Sequence, residues 1–404
     1  MRKHVLVAAF VFFTIAIFGC GGVSNSNSGS GGNPIAGAAN NVLGITAGGG
    51  PAGIANALLA SVVICVPGSS NCATVDGVLV DTGSSGLRVL SSALPAGFAL
   101  PRQASVVNGS PVGECFQFVD GFTWGPVAIA DVHLSGEQAG GIPVQIIGEP
   151  GFAPIPASCT ATGPSEQTVQ TLGANGILGV GNFLQDCGPA CALQSAGNPG
   201  IYFTCPNSVC TVTPQSLPQQ VQNPVAMFAS DNNGVIIELP AIAATGAPSV
   251  SGSLVFGIGT QSNNGLNGAK VLKLNGAGNF TTVINNQSLP RSFVDSGSNG
   301  LFFLSSATTG MPVCSGNPFY CPAATQNFTA VNTGTNGAST TINFTVANAN
   351  TLFSTSGDFL FNNLAAPNPA SSFDWGMPFF YGRNVFTAFE TRNTPGGPGP
   401  YTAY

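Results

Sequence analysis

Charge is scarce in this chain, with Asp, Glu, Lys and Arg making up 6% of 404 residues. Yet Asp81 closes the apolar run of VLVDTGSSGLRVL (78–90), and Asp295 closes that of SFVDSGSNGLFFL (292–304). In each stretch an apolar strand carries an acid into a protected place. Glycine then lets the backbone turn and approach a neighbouring chain closely, and small hydroxyls can bond within the turn. One such stretch is an ordinary β-turn; two, with matching apolar residues before and Gly-Leu after, read as a pair. If related halves face each other, Asp81 and Asp295 come together. Like charges at that range cannot both ionise easily, so the two would share one proton. One carboxylate could then take a proton from water while the other gives one to a carbonyl oxygen.

Other chemistries fail on residue type or spacing. His133 is the one histidine beyond the N-terminal segment, and it sits in the alternating run ADVHLSG, as a strand surface residue would. GSSG is not the nucleophile elbow GxSxG. GITAGGGPAG lacks the lysine of a phosphate loop. Glu114, Asp120, Asp131 and Glu137 are scattered without a calcium-loop spacing. The cysteines lack the usual CxxC pairs of a metal site, so no metal and no cofactor is expected. A net charge of −6 with no basic patch argues against nucleic acid.

The elements that must position the acids read as strands. With 55 Gly and 30 Pro, and with Ser, Thr, Asn and Val in place of helix-surface Glu and Lys, the composition is that of a mainly β protein. Short runs such as ASVVICV, GVLV, VAIADVHL, GVIIEL, GSLVFGIG and TTINFTVANA recur between turn signals without a helical period. The length suits two lobes. NPVAMFASDNNG near 223–234 is the natural joint, giving an N-terminal lobe over 42–222 and a C-terminal lobe over 223–404.

Taken in order, these motifs resemble the pepsin-like, bilobal aspartic peptidases. VDTGSSGL and VDSGSNGL are similar to that family's two active-site signatures. NGILGVGNF (175–183) resembles the segment that braces the first active-site loop. SGSLVFGIG resembles the strand opening the second lobe, and WGMPFFYGRNVFTAFE (375–390) the C-terminal run. The resemblance spans about residues 60 to 390. It implies an all-β, two-lobed fold with pseudo-twofold related lobes and a central cleft. It implies that Asp81 and Asp295 form the dyad, and that Thr82 and Ser296 form a hydroxyl network beneath it. Gly83 and Gly297 would permit the turns, and Ser84 and Ser298 would hold the outer carboxylate oxygens. A flap is expected within CFQFVDGFTWGPVAIADV (115–132), its usual tyrosine replaced by Phe118 or by Trp124. Arg88 stands where the family commonly has tryptophan, and Pro378 where a second bracing glycine is expected. These departures suggest a divergent bacterial branch. The expected activity is peptide-bond hydrolysis on a peptide or protein substrate by a monomer. The alternative is a non-catalytic binding or structural protein of the cell envelope with the same fold.

Export is read from the N-terminus and the cysteines. Arg2 and Lys3 precede an apolar run from Val5 to Phe18, and the ending IFGC resembles a bacterial lipobox. Residues 1–20 are thus expected to be a lipoprotein-type signal, with Cys20 lipidated and residues 21–41 a Gly/Ser/Asn-rich tether to the membrane. Envelope attachment, at the outer membrane or facing the periplasm, is expected, with secretion the alternative. Setting Cys20 aside leaves an even number of the 11 cysteines. Cys65–Cys72, Cys187–Cys191, Cys205–Cys210 and Cys314–Cys321 are close in sequence, and Cys115–Cys159 remain as the fifth pair. Exchange between Cys187 or Cys191 and Cys205 or Cys210 stays open at this level. Disulfides fit an oxidising compartment.

Overall fold

The computed structural model describes residues 35–194, 197–368 and 370–404. The expected signal, Cys20 and most of the tether lie outside them. The protein is built from β-strands with a few one-turn helices, as the composition suggests. One 15-stranded sheet runs through both halves of the chain, and a seven-stranded sheet belongs to the second half alone. The bridge between the halves is the strand Val42–Gly48. It pairs antiparallel with Ala57–Cys65 on one side and with Val250–Phe256 on the other. Residues just before it are held as well. The Ala36 N–H donates to Glu238 Oε2 at 2.6 Å, and Asn41 is buried, donating through Nδ2 to Phe256 O. Ala36 and Asn41, which fall within the expected tether, are thus held against the second half.

The same local topology occurs twice and sets both acids in place. Cys72–Asp81 runs parallel to Gly176–Val180, with Asp81 opposite Gly179, and Ser85–Leu90 returns antiparallel along the other side of that strand. In the second half, Gln287–Val294 runs parallel to Asp374–Trp375, and Leu301–Phe303 returns antiparallel beside it. Each acid thus stands at the tip of a loop whose two arms are separated by a third strand. The apolar residues before each acid supply the core that anchors these arms. Val78 and Val80 are fully buried, as are Leu87 and Val89 on the returning arm. The second-half core is aromatic: Phe373 stacks on Trp375 at 3.8 Å between ring centroids, and Phe303 stacks on Phe373 at 4.9 Å.

All five expected disulfides form: Cys65–Cys72, Cys115–Cys159, Cys187–Cys191, Cys205–Cys210 and Cys314–Cys321. The exchange left open among Cys187, Cys191, Cys205 and Cys210 is thereby resolved in favour of the near neighbours. His133 lies in the strand Phe122–Leu134, paired with Val63 and Gln138.

Candidate active site

The two acid loops meet back to back through crossed hydrogen bonds. The Thr82 N–H donates to Ser296 Oγ at 3.1 Å, and the Ser296 N–H donates to Thr82 Oγ1 at 3.0 Å. The hydroxyls complete the lattice, Ser296 Oγ donating to Val80 O at 2.7 Å and Thr82 Oγ1 to Val294 O at 3.3 Å. Small hydroxyl residues suit this place because each must accept from one backbone and donate to another across a close approach.

Each carboxylate is held in the same way by its own loop. Gly83 N–H donates to Asp81 Oδ1 at 2.7 Å, and Gly297 N–H donates to Asp295 Oδ1 at 2.8 Å. Ser84 Oγ donates to Asp81 Oδ2, and Ser298 Oγ lies 3.1 Å from Asp295 Oδ2. The glycines face the opposite acid. A Cβ on Gly83 would sit 2.6 Å from the Asp295 carboxyl carbon, and one on Gly297 would sit 2.7 Å from Asp81 Oδ1. Any side chain at either position would force the dyad apart. Burial, and after it the Asp81 charge, pushes the Asp295 carboxyl well above the ordinary carboxylate range.

Backbone closeness also explains the bracing strands. A Cβ on Gly179 would lie 2.8 Å from Ser84 Oγ, and one on Gly376 would lie 2.6 Å from Ser298 O. Gly181 N–H donates to Ser84 O, whereas in the second half Met377 N–H donates to Ser298 O, both across 2.7–2.8 Å. The second brace therefore comes within one residue of Gly376, where the first needs two. Pro378 falls outside the contact for which a glycine was expected.

A cavity of about 610 Å³ lies over the dyad. Thr82, Gly83 and Ser84 form part of its floor, and Phe183, Phe293 and Phe302 form part of its walls. The acids lie beneath, Asp81 keeping 1% of its exposure and Asp295 none. The hairpin of Val112–Gln117 and Phe122–Leu134 reaches this cavity through Phe116 and Val119. Neither residue expected in the flap tyrosine's place lines it. Phe118 is buried against Phe116, with ring centroids 4.9 Å apart, in a cluster with Leu79, Leu90 and Leu172. Trp124 stands opposite Cys115 in the ladder, so it shares the disulfide's face, away from Phe116. There it packs on Phe152 and Phe203 and donates through Nε1 to Ala153 O.

Arg88 proves to be the centre of a buried polar cluster that the sequence did not disclose. Its Nη2 reaches Glu114 Oε1 at 2.8 Å and Asp186 Oδ2 at 2.7 Å, all three side chains fully buried. Tyr202 OH donates to Asp186 Oδ1 at 2.7 Å. The guanidinium carbon lies 3.5 Å from the Phe116 ring centroid. Arg88 thus ties the returning arm of the first acid loop to the strand Val112–Gln117 and the cavity wall. Burial and the Glu114 charge raise the Asp186 carboxyl well above its ordinary range, partly offset by Arg88. Only the contrast between Arg88 and its apolar run hinted at this; its partners come from distant segments.

The second half holds another such exchange. Arg88 faces Ile177 across the first bracing strand, and at the matching place in the second half Phe302 faces Asp374. Asp374 is fully buried, and its Oδ2 lies 2.6 Å from Ser298 Oγ. A third acid therefore stands beside the dyad, and the sequence signal for it was a charge inside the aromatic run SSFDWGMPFF.

Residues 37–404 match a family model described as "Protein of unknown function (DUF3443)". No curated protein matches the chain. Among solved structures, the crystal structure of the aspartic proteinase from Irpex lacteus is similar with a TM-score of 0.52 at 14% identity, covering 90% of this chain and 96% of that one. At that identity the likeness is one of fold. The chain thus carries the two-lobed β architecture of an aspartic proteinase and belongs to the DUF3443 family.

Proposed function

We propose that the protein is an aspartic-type endopeptidase in which Asp81 and Asp295 share one proton and activate a water against an extended peptide. The observation that carries this reading is the symmetric pair of acids under one cavity. Each is held by a glycine N–H on its inner oxygen and faces a serine hydroxyl on its outer one. In the reaction the ionised carboxylate takes a proton from the water as it attacks the peptide carbonyl, and the protonated one gives its proton to the carbonyl oxygen. The proton then passes to the leaving nitrogen as the C–N bond breaks. Phe116, Val119, Phe183 and Phe293 around the cavity favour apolar side chains beside the scissile bond.

The test is mass spectrometry of a diverse peptide library incubated with the protein from about pH 3 to pH 7. Cleavage by the wild type that is lost in Asp81→Asn and Asp295→Asn is the expected result. Cleavage unchanged in both variants would refute the dyad. Absence of any cleavage, with a partner recovered intact, would favour the binding alternative.

We also propose export with a lipid anchor on Cys20, a reading to which five disulfides lend support through their need for an oxidising compartment. The native N-terminus is then a diacylated or triacylated Cys20 by mass spectrometry, and an unmodified terminus elsewhere would end that claim. In this reading the lobes divide near residues 222 and 223, and the monomer is the working unit.

A further inference from the structure

Ser298 presents a problem of hydrogen count. Its Oγ lies 2.6 Å from Asp374 Oδ2 and 3.1 Å from Asp295 Oδ2. A hydroxyl carries one proton, so it can donate to only one of two ionised carboxylates. Both contacts can be hydrogen bonds only if one acid brings its own proton and donates it to Ser298. The surroundings decide which. Asp374 Oδ1 is buried without a partner, whereas Asp295 accepts at Oδ1 from Gly297. An ionised Asp374 would leave a buried oxygen with no donor, on a strand whose ladder neighbours at that place are Phe293 and Phe302. The acids around it are Asp295 and Asp81. The strands Leu301–Phe303 and Ala365–Pro367 bring no titratable group. Arg291, on the strand Gln287–Val294, is exposed, and among the described residues no salt bridge reaches Asp374. In the first half the matching residue is Ile177, so Ser84 has only Asp81 to serve.

We propose that Asp374 is a positioning residue for the dyad: it carries its own proton, donates it to Ser298 Oγ, and so commits the Ser298 hydroxyl to Asp295 Oδ2. The chain runs from the Asp374 carboxyl O–H to Ser298, and from the Ser298 O–H to Asp295. Its effect is to make the two acids unequal. A hydroxyl that accepts a hydrogen bond is a stronger donor, so Asp295 receives more help in holding negative charge than the same loop alone would give. Burial independently favours the neutral form of Asp374 and pushes its carboxyl well above the ordinary range. The consequence for catalysis rests on the endopeptidase reading; the proton on Asp374 does not.

The experiment compares wild type with Asp374→Asn, whose amide can still donate to Ser298, and with Asp374→Ile, which copies Ile177. The first readout is the infrared difference spectrum of the full chain near pH 7 without substrate. Both variants are expected to lose a protonated-carboxyl C=O stretch. Loss of a carboxylate stretch instead would overturn the proposal, whether or not the protein cleaves anything, and either variant alone suffices if the other does not fold. The second readout is the acidic limb of the pH–rate profile. Asp374→Asn is expected to keep it in place, and Asp374→Ile to move it upward by about a few tenths of a unit. A downward shift common to both variants would mean that a negative charge had been removed, and would contradict the neutral donor.

Discussion

At the residue scale, the pairing of the two acids was legible because the motif around them repeats. Asp81 and Asp295 announce themselves through two copies of one small-residue turn in a chain with 15 acidic residues. In the fold Thr82 and Ser296 bond across the two loops and Ser298 lies against Asp295 at 2.7–3.3 Å, while Ser84 bonds Asp81. Asp374 and Asp186 were not legible, since a lone acid in an aromatic or loop segment has no partner until the chain folds. The glycines offer a sharp check at this scale. Gly83→Ala places a methyl 2.6 Å from the Asp295 carboxyl carbon, and the backbone must shift to relieve it. We expect a cost of about 1–3 kcal/mol in urea denaturation, together with loss of peptidase activity. A variant with unchanged stability and activity would show that the two loops are not in such close contact.

At the element scale, strands were easier to foresee than the faces they present. The hairpin at 112–134 lies where the motif order put the flap. Its cleft-facing residues differ from those expected, because the pairing of Cys115 with Trp124 commits that face to the disulfide. Arg88 joins the strand Val112–Gln117 to the first acid loop through Glu114. Breaking a buried ion cluster by removing one member costs more than the cluster itself contributes, since charges are stranded without solvent. Arg88→Met should therefore destabilise the fold by about 3–5 kcal/mol by chemical denaturation. Replacing Glu114 and Asp186 by apolar residues in the same chain should recover most of the loss. If Arg88→Met alone is neutral, the cluster does not hold the strand Val112–Gln117.

At the scale of the whole molecule, the two-lobed β plan followed from composition, turn spacing and the doubled motif. The bridging role of Val42–Gly48 did not, because which strand a β-strand pairs with is a long-range outcome. The buried acids have a collective consequence. Burial, followed by the neighbouring Asp120 charge, raises the Glu166 carboxyl from 4.5 to about 9, and Asp186, Asp295 and Asp374 are raised by burial as well. Between those values the folded chain holds a proton that the unfolded chain releases, so stability falls as pH rises through that window. The urea midpoint should be higher near pH 4.5 than near pH 9, and Glu166→Gln should flatten part of the decline. A midpoint that rises with pH over this range would contradict the neutral, buried state of Glu166, Asp186 and Asp374. Whether Asp81 and Asp295 act as one proton-sharing dyad is decided by kcat/KM on a cleaved library peptide. Asp81→Asn and Asp295→Asn are each expected to lower it by about a thousandfold or more with the fold intact. Retention of wild-type kcat/KM in either variant would contradict the shared dyad.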